Sequence, residues 1–167
     1  MLRDAGLIPL SHQHQHALAL SVRIGKAFAE VHDTPDVHHW EREIVDLFDA
    51  EIQLHFLAEE KFVFPAAGRC EDLQQLVDEL RIEHTVIRRN VERARARQFT
   101  VTDLQVFTAM LSEHIRKEER QLFESMQQLL SAEDLKHIGN QIDLFFQLNQ
   151  PSSASCALRE HPDPRET

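Results

Sequence analysis

The stretch HFLAEEKFVFP, residues 55–65, returns in pattern as HIRKEERQLF at 114–123. In each copy a His is followed four residues later by a Glu, His55 with Glu59 and His114 with Glu118, and then by a second Glu and an apolar segment. Residues four apart on a helix lie on one face, one turn above the other. Each copy therefore aims an imidazole and a carboxylate at one point. The walk Ile44, Phe48, Ile52 leads to His55 and on to Glu59 and Phe62; the walk Phe107, Leu111 leads to His114 and on to Glu118, Leu122 and Leu129. These His and Glu residues interrupt apolar stripes, so as helices both copies turn them into a core. Burial of a carboxylate costs on the order of several kcal/mol unless a cation neutralises it.

Apolar spacing at helical period extends the reading outward in both directions. Pro9 and Ser11 are start signals for a first helix of about 12–31, with His14, Ala17, Leu20, Ile24 and Phe28 on its inner face. His12 and His16 fall roughly 160° to either side of His14 at helical pitch, so His14 is the expected inward residue, with His16 second and His12 third. Thr34 and Pro35 form an N-cap and N1 pair that opens a second helix running to Pro65. A third helix, about 71–97, presents Leu73, Val77, Leu80, His84, Ile87 and Val91 along one stripe. Thr100 with Asp103 suits a capping box for a fourth helix, about 101–130, and Ser131 with Asp134 caps a fifth, about 132–148. The fifth is expected to pack as a lid or to supply a homodimer face. From Pro151 onward periodicity ends, and 150–167 reads as a disordered or loosely attached tail to a domain of 1–149.

Composition limits what such a chain does. Its 167 residues suit one domain, and 42% apolar content supplies a substantial core. With long helical stripes and only 4 Gly and 6 Pro, the fold class is all-α. A formal charge of -10 argues against a nucleic-acid surface. The Arg-rich run at 88–97 is read as a solvated helix end. Two cysteines far apart, Cys70 and Cys156, give no disulfide framework or Cys-rich zinc site. The opening residues lack a signal-peptide core, and no apolar run is long enough for a bilayer, so the expected compartment is the cytoplasm with no membrane partner. No Gly-rich loop for a nicotinamide or flavin phosphate is present in the sequence, which favours a binding protein over an enzyme.

Four inward histidines on four helices, two followed by a Glu one turn on, define the candidate set His14, His55, Glu59, His84, His114 and Glu118. An up-down-up-down four-helix bundle with an additional C-terminal helix brings such residues together, as in dinuclear carboxylate sites. Nitrogen and oxygen donors suit two iron ions, with manganese or zinc as alternatives. Glu60, Glu83 and Glu119 are candidates to orient the imidazoles or relay protons, while Glu83 and His16 also remain candidate ligands. The phenylalanines at 56, 62, 64, 107 and 123 are expected in the core, shielding the centre.

The paired HxxxE motifs, the EH at 83–84 and the opening LSHQHQH resemble the bacterial hemerythrin-like (HHE cation-binding) family over about residues 8–148. That resemblance implies a non-haem diiron centre bridged by two carboxylates and an oxo or hydroxo group. His84 and His114 would hold one iron, His14 and His55 the other, and Glu59 and Glu118 would bridge. The expected ligand is dioxygen, nitric oxide or peroxide, with roles in binding, sensing or iron handling; a peroxide- or nitric-oxide-consuming oxidoreductase and a metal-free helical interaction domain are the alternatives. Two positions differ from oxygen-carrying hemerythrins. Arg88 stands where a further His is expected, and the fourth-helix Glu118 lies four residues after its His rather than an Asp five after.

Overall fold

The computed structural model describes residues 2–29 and 36–149, and among them there are helices and no strand. Helix α1, Ile8–Ala29, begins earlier than its sequence signals suggest. Asp4 caps a 3-10 turn at Ala5–Leu7 by accepting from Gly6 N–H, and this turn runs straight into α1. Pro9 therefore sits in the first turn, and Ser11, rather than capping, turns its hydroxyl to Glu119 at 2.7 Å. The second helix, α2 (37–67), is capped by Asp36, which accepts from His39 N–H. The expected cap at Thr34 and Pro35, like the tail at 150–167, lies outside the described residues. Helix α3, Glu71–Arg95, is followed by Arg97 at φ 55, a left-handed turn into α4 (101–129). Thr100 and Asp103 cap α4 reciprocally. Ser131 accepts from Asp134 N–H at the start of α5, Ala132–Asn149.

Three wide π turns interrupt these helices, at Phe48–Ile52 and Glu59–Val63 in α2 and at Glu118–Leu122 in α4. Each bonds i to i+5 and so inserts a residue into the helical phase. The inward face after Glu59 accordingly moves from Phe62, which is only half-buried, to the buried Val63 and Phe64. After Glu118 it passes through Leu122 and Phe123 to Met126, and Leu129, expected on the stripe, is 49% exposed.

Helix α1 packs against α2 and α4, and α3 against the same two neighbours. Successive pairs run in opposite directions. His16 meets Glu51 while Arg23 meets Glu43 between α1 and α2; Asp49 meets Arg95 while Glu60 meets Arg88 between α2 and α3; Arg93 meets Asp103 while Glu83 meets Lys117 between α3 and α4. The interior they enclose is divided. One apolar cluster contains Leu10, Phe64, Leu80, Phe123 and Met126; the other contains Ala17, Ile52, Phe56, Ile87 and Leu111. His14, His84 and Glu118 fall between the two along their helices, so a polar layer lies across the middle of the core.

Helix α5 closes one end, lying on the turn at Ala5–Leu7 and on the middle of α2. Two glycines permit that approach. A Cβ on Gly6 would lie 2.7 Å from the Leu135 carbonyl oxygen, and one on Gly139 would overlap the Gly6 Cα, backbone against backbone. Gly25, exposed on α1, has nothing near its missing Cβ. Gly139→Ala is therefore expected to destabilise the fold by about 1–3 kcal/mol despite its better helix propensity. Gly25→Ala should stabilise it by about 0.5–1 kcal/mol. Urea denaturation of the two variants beside the parent measures both signs.

Candidate metal centre

Each of the four helices delivers one imidazole to the polar layer, and α2 and α4 each add a carboxylate one turn further on. None of His14, His55, Glu59, His84, His114 and Glu118 is more than 3% exposed. Their inward atoms sit close together. Glu59 Oε2 is 3.3 Å from the Nε2 of both His55 and His84. Glu118 spans similarly, with Oε2 3.1 Å from His14 Nε2 and Oε1 3.2 Å from His114 Nε2 and 3.5 Å from His84 Nε2. These are ion-pair separations without hydrogen-bond alignment. All four Nε2 atoms and all four carboxylate oxygens are buried and unbonded. Eight such atoms in one place are costly to leave without a partner.

The donor set meets the requirements of a cation. Ligand atoms of His14, His55, Glu59 and Glu118 lie within 4.8 Å of one another, as do those of His84, His114 and Glu118. Nitrogen and carboxylate oxygen donors of this kind suit iron or manganese.

The outward nitrogens are all bonded, and their partners form a ring around the helices. Gln13 of α1 bonds His55 of α2 at 3.0 Å; Glu60 of α2 bonds His84 of α3 at 2.8 Å; Glu83 of α3 bonds His114 of α4 at 2.8 Å; Glu119 of α4 bonds His14 of α1 at 2.7 Å. In each case Nδ1 faces the partner, which fixes the ring so that Nε2 points inward. Each carboxylate is in turn paired with a cation: Glu60 with Arg88, Glu83 with Lys117, and Glu119 with Arg3. Arg88 is thus committed to Glu60 at 2.7 Å, with its guanidinium over Phe56. Glu83 and Glu119 lie behind imidazoles rather than facing the centre. His12 is exposed, and His16 bonds Glu51 on the surface at 2.7 Å. Gln13, Ser11 and Arg3 were not visible as site residues in the sequence, because their partners are more than forty residues away on other helices. Aromatic rings cover the layer: Phe56 stacks on His84 with centroids 3.7 Å apart, and Phe123 stacks on His14 at 5.8 Å.

Fold and site together define a class, a helical protein with a buried histidine and carboxylate cluster that could hold a metal. Residues 8–125 match the model of the hemerythrin HHE cation binding domain, and the chain belongs to that family. No curated protein and no solved structure matches it. No described helix is long and apolar enough to cross a membrane.

Without a cation, only protons on the imidazoles can offset the two buried carboxylates. Burial opposes a charged His14, but Glu118 and Glu119 outweigh it and raise its pKa to about 10. For His84 burial is likewise overcome, by Glu118, Glu59 and Glu60, and the pKa again reaches about 10. Burial would raise Glu118, yet the surrounding imidazoles, His114 foremost, hold it well below the usual carboxylate range. Folded-state pKa values above the ordinary 6.5 mean that both imidazolium ions contribute stability in full below 6.5 and lose it as the pH rises through about 10. The melting temperature of chelator-treated protein is therefore expected to fall across that window. A flat profile in circular dichroism melts would show neutral imidazoles instead.

Proposed function

We propose that this chain is a non-haem diiron protein that binds or senses a small diatomic ligand, dioxygen or nitric oxide. The single observation that carries the reading is the set of eight buried, unbonded donor atoms on His14, His55, Glu59, His84, His114 and Glu118. In this reading α1 to α4 form an up-down-up-down bundle around the centre, and α5 is an addition to it. His14 and His55 would hold one iron and His84 and His114 the other, with Glu59 and Glu118 supplying the carboxylate donors. When bound, such an iron pair supplies a redox-active centre that coordinates small ligands.

The chain's own residues do the rest. Gln13, Glu60, Glu83 and Glu119 hold the four imidazoles with Nε2 inward. Phe56, Phe64 and Phe123 keep water from the layer. Burial of all six donors restricts access to molecules small enough to pass between packed side chains, which supports binding of a diatomic over turnover of a larger substrate. Glu60, Glu83 and Glu119, each about a quarter exposed, connect the imidazoles to solvent and can pass protons to Nδ1.

Anaerobic loading with ferrous iron is expected to give two equivalents bound and a visible absorption change on adding air or nitric oxide. Uptake of none would overturn the reading. His55→Ala and Glu118→Ala are expected to lose bound iron by metal analysis. Glu118→Ala should also lower stability in the presence of iron by about 3–5 kcal/mol, because removing one member of a buried charge set strands the others.

A further inference from the structure

The ring of Nδ1 partners is not uniform. Three imidazoles donate to carboxylates, whereas His55 faces the neutral amide oxygen of Gln13 at 3.0 Å. Each of Glu59 and Glu118 lies within 3.5 Å of Nε2 atoms from both halves of the layer, although Glu59 groups within 4.8 Å only with His14, His55 and Glu118. A further difference stands behind the rings. On the His84 and His114 side both rings are backed by an anion, Glu60 and Glu83, each anchored by its own cation, Arg88 and Lys117. On the His14 and His55 side only His14 is backed in this way, by Glu119 with Arg3.

A carboxylate accepting from Nδ1–H pushes electron density toward Nε2 and makes the imidazole a stronger donor; an amide does so much less. We infer that Gln13 is a positioning residue that makes the two halves of the centre unequal: the His84 and His114 half takes the first cation and holds it more tightly, and the His14 and His55 half is the exchangeable one. This inference rests on the diiron reading above. Its consequence is a protein that passes through a state with one half filled, so that the iron exchanged with the surroundings is the one beside Gln13.

Anaerobic calorimetric titration with ferrous iron tests it, with Gln13→Glu and Glu83→Gln as variants. The parent should bind in two resolved steps. Gln13→Glu should tighten the weaker step by about tenfold and leave the tighter one unchanged, and Glu83→Gln should weaken the tighter step by about tenfold, within the usual range for such partners. Two indistinguishable steps in the parent would overturn the inference while leaving the diiron reading intact. So would a Gln13→Glu effect confined to the tighter step. Failure of the parent to bind iron at all would overturn both. Glu83→Gln keeps the test decisive if a carboxylate at position 13 compromises folding, because it removes a charge instead of adding one.

Discussion

Two ionised carboxylates removed from water govern the rest of this interior. Glu59 and Glu118 are fully buried, and each has imidazole nitrogens beyond hydrogen-bond alignment but within ion-pair reach. An arrangement of this kind survives folding only if opposite charge is supplied on the spot, by protons on His14 and His84 or by cations between the rings. The two apolar clusters lie on either side of the layer rather than forming one core. Stability and metal chemistry are thus two aspects of the same six side chains.

The outer bonds give the layer its rigidity. Because Gln13, Glu60, Glu83 and Glu119 each sit beside a residue aimed inward yet serve the ring on the next helix, no helix orients its own imidazole. Each relies on its neighbour around a closed circuit. Such a scaffold fixes the rotamer of every ring without taking up the nitrogen that faces the centre, and it places all its charged members at the boundary with solvent, where Arg3, Arg88 and Lys117 balance them.

The all-helical character, the four inward histidines and the caps at Thr100 and Ser131 were legible in the sequence because each depends on local periodicity or a short capping pattern. Glu60, Glu83 and Glu119 were legible as supporting groups because they adjoin the motif. What was not legible depends on distant contacts. Gln13 has no local signature, and Glu41, buried and accepting from Phe99 N–H, serves a loop that lies 58 residues further along. The early start of α1 escaped because Asp4 caps a 3-10 turn instead of an α-helix. Leu129 and Phe62 were placed inward on the assumption of an unbroken α-helical period, which the wide turns violate.

Those wide turns also set a requirement on spacing. Glu59 opens one and Glu118 the other, so in both copies of the motif the extra residue is inserted just past the carboxylate. Without it the helix beyond would be rotated by about 100°, and Phe64 and Phe123 would swing away from the rings of His84 and His14 that they now cover. The spacing from the glutamate to the covering phenylalanine, Glu59 to Phe64 and Glu118 to Phe123, is therefore as much a part of the motif as the letters HxxxE. A substitution in that interval keeps the register, whereas a one-residue deletion uncovers the imidazoles on one side of the layer.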